Sequence, residues 1–261
     1  MITCEEIYDL HTTGALESAL CEAYREIPLD SRNSMRKNDT PLHMACAFAD
    51  ENAVRILLER GADVNVRNDD GDTPLCVLAK RKCCGKETTI AGIAGLLVSK
   101  EARVPRSGKN TTALIEAVGN RHFLMADILL MSGCRIDSTN SNGNNVLHVI
   151  CQSAGDIAYD IKRTKERIAD FSERWYSEKD KREAYENMEY LEEADRQCFL
   201  TAKRILENGQ IDTEDKNNIG KTALDIAWET GARRIGALLS GQDPDTDELL
   251  SLIHISEPTR L

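Results

Sequence analysis

What this 261-residue chain lacks narrows it first. No run of 18 apolar residues occurs, and the opening MITCEEIYDL is acidic, so neither a membrane span nor a secretory leader is expected and the cytoplasm is the expected compartment. Aromatic residues are scarce at 5%, against 41% hydrophobic residues overall, so the interior is expected to be Leu, Ile, Val and Ala, whose small side chains let helices approach closely. Basic residues never cluster beyond three in a row, and the net charge of -11 works against a nucleic acid or an anionic membrane as partner. The nine cysteines are odd in number and lack framework spacing, which points to reduced, buried thiols.

Catalytic and metal-binding signatures are missing as well. Cys83 and Cys84 are adjacent, without the two-by-two spacing of a zinc site. NDDGD carries Gly71 at the sixth place of a calcium loop, but Val77 stands where the twelfth-place Glu should be. SGKNTT lacks the leading Gly and the hydroxyl directly after Lys109 that a phosphate loop needs. Neither G-x-S-x-G nor H-E-x-x-H occurs. The expectation is a chain that is not an enzyme, with no catalytic residue, metal or cofactor.

What is present is a beat. TPLH at Thr40 recurs as TPLC at Thr73, 33 residues on; TALI follows at Thr112 after 39, NVLH at Asn145 after 33, and TALD at Thr222 after 77. A Leu-rich stretch keeps the same time in RILLERGADVN, GLLVSKEARVP, DILLMSGCRID and RILENGQIDTE. Each residue of the motif has a physical task. Thr40 caps a helix through its hydroxyl, Pro41 sits at the first helical position where no amide hydrogen is needed, and Ala45 lets a neighbouring helix come close. Gly61 supplies the left-handed residue that ends the second helix, a place taken as Lys100 in the next unit. One such unit cannot cover its own apolar face, so several must stack.

These residues resemble the ankyrin-repeat family over roughly positions 3 to 240. The resemblance implies an all-α solenoid of helical pairs with protruding β-hairpin loops: a cap at 1–34, repeats at 35–67, 68–106, 107–139, 140–216 and 217–241, then an acidic tail at 242–249. LSLIHISEPTRL, residues 250–261, resembles a translated sequencing adapter and is expected to be non-native, which points to a metagenomic source and leaves open further chain beyond Leu249.

The fourth repeat is interrupted. From Asp156 to Asn208 there is neither Gly nor Pro, while Ile157, Ile161, Ile168, Phe171 and Trp175, then Ala184, Met188 and Leu191, recur at coiled-coil spacing. Two long helices are expected over about 155–196 as a hairpin turning near Ser177 to Lys181, with Lys162, Arg163, Lys165 and Arg167 opposite Glu186, Glu189, Glu192, Glu193 and Asp195. Trp175 and Tyr176 at its tip are candidate anchors for a partner.

Family resemblance implies a protein partner on the hairpin tips and first helices. The tips are Arg36, Lys37 and Asp39; Asp69, Asp70 and Asp72; Lys109 and Thr111; Ser141, Asn142 and Asn144; and Asn218, Ile219 and Lys221. The helix positions are Phe48, Lys80, Arg81, Asn120, Gln152, Ser153 and Glu229, with Phe48 singled out as an apolar ring at an exposed family position. His43 and His148 are implied to hydrogen-bond between neighbouring units. The leading function is a non-enzymatic scaffold, expected as a single copy; the alternatives are the adaptor part of a longer enzyme or secreted effector, and an inhibitor or immunity protein. Replacing Thr40 with Ala is expected to cost about 1 kcal/mol in chemical unfolding.

Overall fold

The computed structural model describes residues 2–82, 85–103, 112–172 and 176–242. Its described residues form helices and no strand; an isolated bridge joins Asn33 and Asp39. No helix among them is long and apolar enough to cross a membrane. The chain divides into residues 1–138 and 139–261, and each unit is built on its own core.

In the first unit, helices α1 (Cys4–Thr12) and α2 (Glu17–Glu26) precede three helical pairs. These are α3 (Pro41–Phe48) with α4 (Glu51–Glu59), α5 (Pro74–Ala79) with α6 (Glu87–Ser99), and α7 (Ala113–Gly119) with α8 (Phe123–Met131). First helices begin where the motif threonines predict: Thr73 Oγ1 accepts from the Cys76 amide, and Thr112 Oγ1 from that of Ile115. Pro41 and Pro74 sit in the first turn. Leu42, Leu75 and Leu114, with Ala45, Ala79 and Ala117, are buried in the stack.

The second helices end on left-handed residues, Gly61 with φ +88° and Gly133 with φ +75°. Between them the sequence reading misplaces one residue. Lys100 has a negative φ of -96°, and it is Glu101 that takes φ +62°, so Glu101 stands in the glycine's place. A β-unbranched side chain tolerates this conformation only with strain.

The second unit contains α9 (Val146–Ala169), α10 (Glu178–Glu207), α11 (Ala223–Thr230) and α12 (Arg233–Leu239). α9 and α10 form the antiparallel hairpin. The second arm begins earlier than expected: α9 passes into a 3-10 turn at Asp170–Ser172, and Ser177 already caps α10 in a reciprocal box with Asp180. Residues 177–181 therefore open the second arm, because a Ser-x-x-Asp pair starts a helix. Ile157, Ala184, Leu191, Ala194 and Cys198 are buried, and Asn187 Nδ2 donates to Thr164 Oγ1 at 3.2 Å across the arms.

Continuing α9 past the point where an ordinary first helix stops creates a steric problem, which Gly155 solves. A methyl group on Gly155 would lie 2.2 Å from Thr230 Cβ and 2.4 Å from Thr230 Oγ1 at the end of α11. Gly155→Ala is therefore expected to destabilise the second unit by about 1–3 kcal/mol through overpacking, although Ala is the better helix former. Gly95→Ala in α6, where nothing lies within 4 Å of the added carbon, is the control and is expected to stabilise. Denaturant unfolding of the two variants measures both.

Candidate functional site

The described partner-facing residues of the repeats occupy turns before first helices and positions along those helices. Most of them are engaged in holding neighbouring repeats together. In the first unit the Asp69 amide donates to Lys37 O at 2.8 Å, Asn38 Nδ2 to Asp69 Oδ2 at 2.8 Å, and Asn68 Nδ2 to Asp39 Oδ1 at 2.8 Å. Lys37 pairs with Asp70, and Lys80 with Asp72. The second unit repeats the device with amides: the Asn218 N–H donates to Asn142 O at 3.1 Å, Asn218 Nδ2 to Ser141 O at 3.1 Å, and Asn217 Nδ2 to Asn144 Oδ1 at 2.9 Å. Lys221 pairs with Glu229.

The helix-end residues behave the same way. Arg81 Nη1 donates to Ala47 O of the preceding repeat, and Asn120 Nδ2 to Ala79 O at 3.1 Å. In the second unit Thr230 Oγ1 lies 3.3 Å from Cys151 O.

Histidines stitch the stack through their rings. His43 Nε2 is 3.0 Å from Asp72 O, and since a carbonyl only accepts, the hydrogen-bond network assigns the proton to Nε2. Nδ1 then accepts from the Thr40 amide at 3.2 Å and faces the Thr40 hydroxyl at 2.8 Å. Burial holds the His43 pKa below its ordinary value. His148 Nε2 donates to Lys221 O at 3.0 Å, the same bond in the second unit.

Phe48 corrects an expectation. It is not an unexplained exposed ring: His11 stacks on it at 4.1 Å with planes 7° apart, and Tyr8 lies 5.7 Å away, so α1 half-buries it. Asp39, Asp72 and Ser153 are likewise buried and present no surface. What faces solvent is a shorter set: Arg36, whose guanidinium also lies 4.7 Å over the Tyr8 ring, together with Lys37, Asp69, Asp70, Lys80, Ser141, Asn142, Asn218, Gln152, Glu229 and Ile219, the last 74% exposed. Tyr176 is half-buried with its ring 4.8 Å from Phe171. Lys109, Thr111 and Trp175 lie outside the described residues. Met35, 85% exposed beside Arg36, was missed; an apolar residue within the polar turn RNSMRKND was the available signal.

A cleft of about 470 Å³ in the first unit is lined by His11, Glu17, Phe48, Asp50 and Lys86 among others. His11 Nε2 is spent on the Tyr24 hydroxyl at 2.9 Å, and burial lowers the His11 pKa. The described cysteines are all free, and six of the seven are buried; burial pushes Cys134 to about 11 and Cys151 to about 12, leaving thiols that are poor nucleophiles. Cys83 and Cys84 fall outside the described residues. Among the described residues no group of three or more His, Cys, Asp or Glu is placed to hold a metal ion.

The Ankyrin repeat family profile matches residues 37–69. Those residues form an ankyrin repeat. The chain is 34% identical over 68 residues to the Ankyrin repeat-containing protein P1E11.10 of Schizosaccharomyces pombe, covering 23% of this chain and 33% of that protein. It is 26% identical over 201 residues to the Phosphocholine transferase AnkX of Legionella pneumophila, covering 72% of this chain and 20% of that protein. It thus spans a third of one relative and a fifth of the other. Repeats of this family suggest protein–protein interaction, and the bonds above show how these repeats are fixed in register within each unit.

Because the folded His43 and His11 pKa values are depressed, the unfolded chain takes up protons first as pH falls. Their contribution is complete above the ordinary histidine value of about 6.5 and is lost as pH drops below it. The unfolding midpoint is expected to fall between about pH 7.5 and about pH 5.5, and His43→Gln to flatten that slope while lowering stability throughout.

Proposed function

We propose that this protein is a non-enzymatic scaffold that binds a protein through a preordered surface. The observation that carries the reading is the stitching of the tips. Among the described residues, the turns at 36–39 and 68–72, and those at 141–144 and 217–221, are held to one another by hydrogen bonds, so little conformational entropy remains to be lost there when a partner docks on the outward residues. Those residues are Met35, Arg36, Asp69 and Asp70 in the first unit, and Ser141, Asn142, Asn218 and Ile219 in the second. The acidic balance favours a protein partner over nucleic acid.

A second reading is supported by the similarity to the Legionella phosphocholine transferase: the chain serves as the adaptor part of a longer enzyme or effector, placing a catalytic domain on its target. Under that reading the repeats have the same binding role, and chemistry resides elsewhere.

Immobilised chain is compared with the variant Met35→Glu/Arg36→Glu/Ile219→Glu in crosslinked pull-downs, with Trp175→Ala as a separate arm for the hairpin tip. A protein retained by the unaltered chain and lost from the triple variant is the expected result. Retention of no protein, together with turnover of a metabolite by the purified chain, overturns the scaffold reading.

A further inference from the structure

The corner RKCCGKET, which lengthens the second repeat, begins at Arg81 and ends in the first turn of α6 with Glu87. Its two ends meet at one imidazole of the third repeat. His122, the residue just before α8, is fully buried. Its Nε2 lies 2.7 Å from Arg81 O, and its Nδ1 lies 3.2 Å from Glu87 Oε2. The other oxygen of Glu87, Oε1, accepts from the Leu124 amide at 2.9 Å in the first turn of α8. Ten positions after their motif threonines stand Asp50 in the first repeat and His122 in the third. Asp50 caps its own helix by accepting from the Ala53 amide at 2.9 Å, whereas the His122 side chain makes no such bond. Glu87 of the preceding repeat supplies the acceptor in its place, and a base fills the capping position.

That geometry dictates a proton count. A backbone carbonyl only accepts, so Nε2 carries a proton. An ionised carboxylate likewise only accepts, and a neutral ring would turn the lone pair of Nδ1 towards it. Both contacts are satisfied together when the ring carries two protons and pairs with Glu87 as a cation. The charges of the surrounding helices agree. α5 has none, α6 has Glu87, α7 has Glu116 and α8 has Asp127, so these helices contribute acid or nothing. Of the cations near the corner, Lys82 and Lys86 are exposed, Lys80 pairs with Asp72, Arg81 Nη1 donates to Ala47 O, and Arg121 is half-buried.

We propose that His122 is a proton-dependent clamp, held as an imidazolium between Arg81 O and the Glu87 carboxylate at neutral pH and loosening the start of α8 from the corner when it loses the Nδ1 proton to water. The sense is opposite to that of His43 and His11. Contact with Glu87 favours the charged ring in the folded chain, so the stabilisation is whole below the ordinary histidine value of about 6.5 and is lost as pH rises through the higher folded value. The two rings whose folded values are depressed outnumber this one, so the net fall in stability towards acid stands. The clamp is independent of the scaffold reading, which concerns the repeat tips.

The test is nitrogen NMR of the full chain with labelled histidines, which reads the proton on each ring nitrogen. At about pH 7 His122 is expected to show both nitrogens protonated, while His43 in the same spectrum shows Nε2 protonated and Nδ1 bare. Glu87→Gln keeps the shape of the side chain and offers Nδ1 an amide donor. His122 is expected to titrate in that variant at a pH lower by about 1 or more, with His43 unmoved. In the unaltered chain, exchange protection of the Leu124 amide, corrected for the intrinsic effect of pH, is expected to fall as His122 titrates. The Ile115 amide, capped by Thr112 Oγ1, is the reference and is expected to hold its protection. A bare nitrogen on His122 at about pH 7 in the unaltered chain overturns the proposal without need of any variant. So does a His122 titration that Glu87→Gln leaves in place, or Leu124 protection that does not follow it.

Discussion

A pair of short helices has an apolar face that it cannot cover, and the rest of this structure depends on that deficit. Leu42, Leu75 and Leu114 are buried because another pair lies against each stripe. Apolar burial alone does not fix register, since leucine and alanine faces slide past one another at small cost. Register comes from directional bonds placed at the helix ends, where backbone carbonyls have no partner within their own helix. Arg81 and Asn120 each aim a side-chain donor at such a carbonyl in the neighbouring repeat. Each bond contributes about 1 kcal/mol net, but an unmet buried carbonyl would cost more, so together they select one alignment.

The same accounting explains why a recognition surface drawn from sequence is too wide. Tip and helix-end positions are polar for two different reasons: some face solvent, and others complete a neighbour's backbone. Composition does not separate the two. Asp69 and Asn218 do both, their amides engaged with the turn of the adjoining repeat while their side chains stay at the surface. Asp39 and Asp72, polar by the same measure, are covered. Outward-facing apolar residues such as Met35 and Ile219 are the more informative signal, because solubility gives no reason for them.

Much of the fold was legible because its determinants are local. A threonine or asparagine followed by an apolar stripe starts a helix by its own chemistry, and a residue able to take positive φ ends one. Errors arose where the decisive partner lay on another element or where the spacing was off by one. Glu101 carries the left-handed turn because the unit counts from its threonine in a way that the interrupting RKCCGKET obscures. Ser177 was assigned to the turn although its box with Asp180 makes it a helix start, a local signal that was available and misread. Phe48 could not be read at all, since the ring that covers it comes from His11, 37 positions earlier.

The histidine position shows how a repeat can close on itself or reach onward. His43 and His148 each use one ring nitrogen on their own capping residue and the other on the carbonyl that precedes the next first helix. At the corresponding place in the last described repeat stands Asp225, which is exposed. Its carboxylate accepts from both the amide and the hydroxyl of Thr222, at 2.9 Å each, and the Asp225 amide donates back to the hydroxyl at 3.2 Å. These hydrogen bonds hold its pKa below the usual carboxylate value. An imidazole has two nitrogens pointing in opposite directions and suits a bridge, whereas a carboxylate concentrates its acceptors at one end and suits a closed cap. The choice between them at a single position therefore decides whether a helix start is completed locally or only by the hairpin beyond it.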